Sequence, residues 1–287
     1  MARVLIAGCG VTGSAAGNVL AEDGHEVYGL RRQPPQDTRL IRYIRADLSA
    51  AADLAKIDTN IDLVIYILAP DSRDEKSYRS VFIEGLNNLL EVFSQKNPDT
   101  RFIFVSSTGV YGQSNGEWVD EHSVTDPQST TGKIILQAEN TVLAGSADNC
   151  IIRFSGIYGR GRSHLIDAVI SNRETQFDPP YYMNRMHWQD CVGVIHFIAS
   201  RMIAGAKVVS VYLASDDDPA PRWEVFDFLA RRLGVAPPGK AIMPQGTSQN
   251  KRCSNQRLKQ LGYRFRYKSY KQGFGNITPA DVGKQPG

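Results

Sequence analysis

Short apolar runs, several ending at glycine, proline or serine, alternate with longer stretches of helical period through the first half of the chain. Residues 4–7 form the first run, which leads directly into Gly8, Gly10 and Gly13; residues 14–24 then follow a helical rather than an alternating pattern, so the opening reads strand, tight turn, helix. Residues 26–30 and 41–44 predict two more short strands. Residues 61–68 are continuously apolar, the pattern of a strand buried on both faces, and stop at Ala69 and Pro70. Across residues 76–95, Val81, Phe82, Leu86, Leu89, Leu90 and Phe93 recur at the spacing of a core-facing helix. Residues 101–106 and 150–154 read as strands and residues 130–143 as a helix. Such alternation predicts an α/β protein with a mostly parallel, doubly wound sheet of Rossmann type.

The pattern loosens beyond Gly156. Gly159-Arg160-Gly161-Arg162, the segment 178–182 and prolines 219, 221, 237 and 238 interrupt it, as expected of loops and short helices laid over the carboxyl edge of the sheet. Two segments stay regular, a helix at 192–203 and a strand at 208–213. The expected organisation is a dinucleotide-binding domain over residues 1–155 and a smaller substrate-binding lobe over 156–275, with about 190–214 returning to the main sheet. A frayed Gly- and Pro-rich tail is expected over 276–287.

The opening glycines carry the first chemical implication. Gly8 permits the turn off the strand, Gly10 lets the backbone close on a pyrophosphate, and Gly13 lets helix and strand pack tightly. Backbone N–H groups at Val11, Thr12 and Gly13 and the helix dipole would hold the anion. The second strand ends at Arg31 and Arg32, where a carboxylate would bind a ribose 2′-hydroxyl but arginine accommodates a 2′-phosphate, which favours NADP over NAD. The alternative for the two arginines is a solvated basic loop.

Composition narrows the classes. The four cysteines are scattered and form no His/Cys cluster, which speaks against a metal site or a disulfide framework and for a reducing, cytoplasmic setting. No apolar run approaches the roughly 20 residues of a membrane span, and a strand at the N-terminus is expected to leave no room for a signal peptide. Net charge is +3, yet residues 251–274 hold eight cations and no acid, leaving the rest net acidic by about five. Five aromatics share that segment; a solvated helix followed by a strand with packed aromatics ranks first, an anionic substrate second and nucleic acid last. His196, inside an apolar helix, reads as a core histidine.

Three motifs in order now carry a resemblance. FIFVSSTGVYG at 102–112, RFSGIYG at 153–159 and MHWQDCVG at 186–193 resemble "SS-x-x-VYG", "LR-x-x-x-VYG" and "HV-x-D-V" of the extended short-chain dehydrogenase/reductase family, the NAD(P)-dependent sugar epimerases and dehydratases. The resemblance covers Gly8 to about Phe274. It implies that Ser107 hydrogen-bonds the reacting oxygen of a substrate, with Thr108, Tyr111 and His187 nearby, and that Asp47, Leu48, Leu68, Ala69 and Pro70 line the cofactor. Tyr111 and Tyr158 are also read as packing residues of their turns. A small-molecule substrate and a homodimer follow from the resemblance alone.

The chain departs from the family at its working pair. The matching segment puts Thr131 where the family has its acid/base tyrosine and Ile135 where it has its lysine, and neither side chain can move a proton near neutral pH. Lys133 lies about 200° round the helix from 131 and cannot substitute. Phe82 holds the place of the family's helix-borne asparagine. The pattern resembles the atypical branches of the superfamily, and Pro70 fits them too. Two readings stay open: an NAD(P)-dependent epimerase/dehydratase-like oxidoreductase acting on a sugar, nucleotide-sugar or small carbonyl substrate with some other proton donor, or a catalytically inactive NADP-binding sensor.

Overall fold

A computed structural model describes residues 1–36, 40–160, 164–171, 174–243 and 249–278. The central sheet holds β1 (Arg3–Ala7), β2 (Glu26–Arg31), β3 (Ile41–Arg45), β4 (Leu63–Tyr66), β5 (Arg101–Ser107), β6 (Cys150–Phe154) and β7 (Val211–Ala214). The strands are parallel in the order β7-β6-β5-β4-β1-β2-β3, so the connections reverse direction between β1 and β4, the switch point of a doubly wound sheet. β1 is clamped on both sides, Ala7 lying opposite Leu30 of β2 and Tyr66 of β4. The whole of β4 and most of β1 are inaccessible to solvent, as their unbroken apolar runs require.

Flanking helices bury the faces the periodicity predicts. α1 spans Val11–Glu22, three residues ahead of the expected start, because the glycine turn enters the helix directly. The stretch expected as one helix over 76–95 is helical without interruption from Glu75 to Lys96 but changes pitch: α2 (Glu75–Arg79) and α3 (Leu86–Lys96) are joined by a π turn at Ser80–Gly85. The buried Tyr66 hydroxyl donates to the Val81 carbonyl inside that turn at 2.5 Å, a side chain competing for a helix acceptor. β4 is also shorter than its apolar run, because the chain bends after Tyr66 and the Ile67 carbonyl closes on Gly8. Strand β7 starts at Val211 rather than 208, and does join the sheet.

α4 (Thr130–Gly145) is capped by Ser129, whose Oγ accepts the Gly132 N–H. It carries Glu139, fully buried, onto the inner sheet. The Ser106 Oγ donates to Glu139 Oε1 at 2.5 Å, and Arg153 of β6 donates from Nε and Nη2 to both carboxylate oxygens at 2.6–3.2 Å. α5 (Trp188–Ile203) carries His196, which is not a core histidine: its ring is about a third exposed, with Nε2 2.6 Å from the Asp23 carboxylate.

The chain divides into two compact units that interleave along the sequence. The first is Met1–Val110, Pro127–Arg153 and Val192–Tyr212; the second is Tyr111–Asp126, Phe154–Cys191 and Leu213–Gly287. The second unit is built from two-stranded pairs, among them Gly156–Tyr158 with Arg185–His187 and Glu117–Val119 with Lys251–Cys253. Its core gathers Tyr158, Leu165, Val169, Val225, Phe226, Leu229, Tyr270 and Phe274 around α6 (Arg222–Leu233).

The basic segment runs strand then helix, Lys251–Cys253 before Gln256–Gln260, the reverse of the expected order, because the strand adds to the edge of Glu117–Val119. Its Phe265, Tyr270 and Phe274 are buried, and Arg252 stacks over Trp118 and Tyr182 at 5.1 and 4.8 Å. Gly161 and Arg162 of the glycine-arginine run and residues 279–287 of the expected tail lie outside the described residues. Among the described residues no helix is long and apolar enough to cross a membrane, and no group of His, Cys, Asp and Glu could hold a metal.

The buried Glu139–Arg153 pair supplies a stability test. Glu139→Ala leaves a buried guanidinium without its carboxylate and is expected to lower unfolding free energy by about 3–5 kcal/mol in urea titrations monitored by circular dichroism.

Candidate functional site

The glycine turn between β1 and α1 is shaped by contacts no larger residue allows. Gly8 has φ +95, and a Cβ there would stand 2.6 Å from the Ile67 carbonyl oxygen. At Gly13 a Cβ would meet the Gly8 carbonyl oxygen at 2.7 Å and the Cγ2 atoms of Ile6 and Ile67 at 3.2 Å. Gly10 differs, with nothing within 4 Å of where its Cβ would be, so backbone is presented to open space. Gly10 also caps α1 without a side-chain hydrogen bond, and the first turn, Val11 and Thr12 included, holds no acid. An open cradle at an uncapped helix N-terminus fits the pyrophosphate of a dinucleotide.

Behind the turn, the buried Cys9 thiol lies 3.5 Å from Ser14 Oγ and 3.7 Å from the Tyr43 hydroxyl, which are themselves 3.1 Å apart. Burial pushes the Cys9 thiol up, opposed by these contacts and by the Arg31 charge. Arg31 closes β2 and pairs in register with Arg45, the exposed last residue of β3. Arg32 is held: Nη1 and Nη2 donate to the Asp71 carboxylate at 2.9 and 2.7 Å. Arg45 and Asp71 are two charges at this edge that motif reading missed. Their signal was only their position just past a predicted strand end.

Asp47 turns its carboxylate onto the N–H and hydroxyl of Ser49, which hold it below the usual carboxylate range. The Leu48 carbonyl accepts from Asn88 Nδ2 at 2.9 Å, fixing the loop after β3 onto α3. Leu68 and Pro70 are half-buried and Ala69 is exposed, on the bend after β4.

At the end of β5, the half-buried Ser107 has its Oγ accepting the Gly109 N–H at 3.0 Å, and Thr108 is buried. Accepting from backbone leaves the hydroxyl proton of Ser107 to be donated elsewhere. On α4, Thr131 lies 3.5 Å from Ser129 Oγ, Ile135 is buried and Lys133 is exposed. Phe82 is buried edge-on to Phe104.

In the second unit the structure brings Tyr158 and His187 together, ring centroids 5.3 Å apart, and leaves Tyr111 on its own turn. Tyr111 is fully buried and donates to the Asp120 carbonyl at 2.8 Å. Tyr158 stacks on Phe274, and burial drives its phenol far above the ordinary range. His187 is buried with Tyr267 at 3.9 Å between centroids; its Nδ1 accepts the Gln189 N–H. Burial first, and the Arg266 charge second, lower its pKa to about 4, so the ring is neutral near pH 7. Asp190 accepts the Arg266 and Tyr267 N–H groups at 2.8 and 3.0 Å. Arg185 and Asp216 are buried ionisable groups on adjacent segments; desolvation lowers the first to about 10 and raises the second to about 8.

A doubly wound parallel sheet whose first turn is a bare glycine cradle is the architecture of a dinucleotide-binding α/β protein. The chain belongs to the NAD dependent epimerase/dehydratase family, whose model matches residues 4–205. No curated protein matches it. A solved structure from Methylobacillus flagellatus, designated an NAD-dependent epimerase/dehydratase, is 32% identical with TM-score 0.79, covering 96% of this chain and 97% of that one. MoeE5 in complex with UDP-glucuronic acid and NAD shares the fold at 22% identity and TM-score 0.78, covering 98% of each chain. A UDP-glucose 4-epimerase does so at 20% and 0.78, covering 99% of each.

His187 makes acid sensitivity predictable. Its folded pKa lies below the unfolded value of 6.5, so the unfolded state binds the extra proton; stability is complete above pH 6.5 and falls as pH drops toward 4, by about 3 kcal/mol at most. His187→Phe is expected to flatten that segment of the stability curve, read from urea midpoints between pH 4 and 7.

Proposed function

We propose that the chain is an NADP(H)-using oxidoreductase of epimerase/dehydratase type acting on a sugar, nucleotide-sugar or small carbonyl substrate, without the family's Tyr-x-x-x-Lys pair. The observation that carries the cofactor reading is the open face of Gly10 above an uncapped helix N-terminus, bordered by Arg31, Arg32 and Arg45 at the ends of β2 and β3. Gly10, Val11, Thr12 and Gly13 would present backbone N–H groups to the pyrophosphate, and the arginines would take a 2′-phosphate. When bound, the nicotinamide supplies a carrier for hydride. Ser107, its Oγ anchored by the Gly109 N–H, would donate a hydrogen bond from its hydroxyl to the substrate oxygen without giving up the proton. The nucleotide sugars named with MoeE5 and the UDP-glucose 4-epimerase support that substrate class. The second unit is read as the substrate lobe.

A sensor without turnover is the second reading, favoured by the commitment of the tyrosines: the Tyr111 hydroxyl is given to Asp120, and Tyr158 is far too weak an acid. Titration and turnover separate the two. NADPH binding with oxidation by at least one member of a carbonyl and nucleotide-sugar panel supports the enzyme; binding with no turnover across the panel supports the sensor.

Two variants complete the test. Joint replacement of Arg31 and Arg32 by alanine is expected to weaken NADPH at least about tenfold while moving NADH less than about twofold, and equal losses would remove the 2′-phosphate assignment. On any substrate turned over, Ser107→Ala is expected to lower kcat/KM by about 10–1000-fold; full retained activity would overturn its role.

A further inference from the structure

Three strand ends meet at the cofactor edge, and a charge pair spans them. β1 lies hydrogen-bonded between β2 and β4, so the chains leaving β2 and β4 are two strand spacings, about 10 Å, apart. Arg32 is the first residue after β2, and Asp71 follows the bend after β4. Their bidentate bridge, at 2.9 and 2.7 Å, therefore joins the two strands flanking the exit of β1 into Gly8 to Gly10. Neither end is loose. Asp71 sits at the start of a turn in which Asp74 caps α2 by accepting the Ser77 N–H, with Ser72 also bonded to the Asp74 carboxylate.

Arg32 is thereby both the first cation past β2, where a 2′-phosphate would be read, and a residue already given to a carboxylate. A phosphate dianion offers the guanidinium the same planar, two-point acceptor as Asp71 with more charge. NAD(H) offers a ribose hydroxyl there, which cannot compete for a charged fork. Both side chains are well exposed, 61% for Arg32 and 71% for Asp71, so the exchange needs no change in the core. Arg31 and Arg45 stay beside the vacated position, paired in register at the ends of β2 and β3.

We propose that Asp71 is a specificity-determining residue for the cofactor: it holds Arg32 across the crevice, and NADP(H) binds by replacing Asp71 with its 2′-phosphate on that arginine. The inference rests on the NADP reading of the site. Asp71 thus acts against NADP(H) and is neutral toward NAD(H), so the chain's preference is the difference between phosphate recognition and the bridge that must open.

The test is a set of NADPH and NADH dissociation constants, by nicotinamide fluorescence at low and moderate salt, for the wild type, Asp71→Asn, Arg32→Ala and the double variant. An exposed ion pair is a modest competitor, so Asp71→Asn is expected to tighten NADPH by about three- to fivefold and leave NADH within about twofold. Arg32→Ala is expected to weaken NADPH about tenfold or more, and adding Asp71→Asn to it should change nothing further, because the two act through one contact. If Asp71→Asn leaves NADPH affinity unchanged, tightens both cofactors alike, or still acts when Arg32 is absent, the role of Asp71 is overturned, and the NADP reading stands so long as Arg32→Ala weakens NADPH alone. If Arg32→Ala spares NADPH, both fall. Because both residues are exposed, circular dichroism melts of the variants should match wild type; a large shift in Asp71→Asn would instead mark the bridge as structural and overturn the proposal.

Discussion

The glycine turn after β1 depends on one close approach, that of the Gly8 backbone to the Ile67 carbonyl. A Cβ at Gly8 would overlap that oxygen, and one at Gly13 would overlap the Gly8 carbonyl in turn. The two contacts lock β1, α1 and the chain leaving β4 into one unit, with Gly10 left facing outward. An anion site made of backbone needs this rigidity, since N–H groups that must reorganise on binding give back much of what they offer. The conformational cost of three glycines is offset by the burial of β1 and β4 around them.

Much of this was legible in advance because it is local. Glycine spacing behind an apolar strand, unbroken apolar runs for strands covered on both faces, and helical periodicity depend on residues a few positions apart, and the parallel, doubly wound character of the sheet follows from their alternation. What escaped depends on partners far apart in sequence. The π turn at Ser80–Gly85 is explained by Tyr66, on a strand before it. His196 looked like a core residue from its apolar neighbours, and only the fold brings Asp23 within 2.6 Å of it. Arg32 was read as a phosphate ligand from its place after β2, and nothing near it in sequence announced Asp71. The placement of 111–126 in the second unit has no local signal either.

Burial separates the residues singled out for chemistry into two groups. Ser107, Arg31, Leu68 and Pro70 remain partly accessible at the carboxyl ends of their strands, where ligands bind in open α/β sheets. Tyr111, Tyr158 and His187 are buried, and the first two also give their hydroxyls to backbone carbonyls. Groups so placed contribute packing and hydrogen bonds to the second unit, and desolvation shifts the Tyr158 phenol upward and the His187 imidazole downward, away from useful proton transfer.

The helix α4 shows what the side chains at 131, 135 and 139 do for the packing. Thr131, Ile135 and Glu139 lie four residues apart and form one stripe. At its far end Glu139 accepts from Ser106 and from Arg153, so the charge on this stripe is an anion engaged in a buried structural pair. Ile135, one turn before it, is buried and extends the apolar surface. A cation at 135 would stand one helical turn from a carboxylate already saturated by Arg153, and would have to be desolvated without a partner of its own. Ile135 and the Glu139–Arg153 pair are therefore consistent as one packing solution, in which the helix fastens β5 through Ser106 and β6 through Arg153.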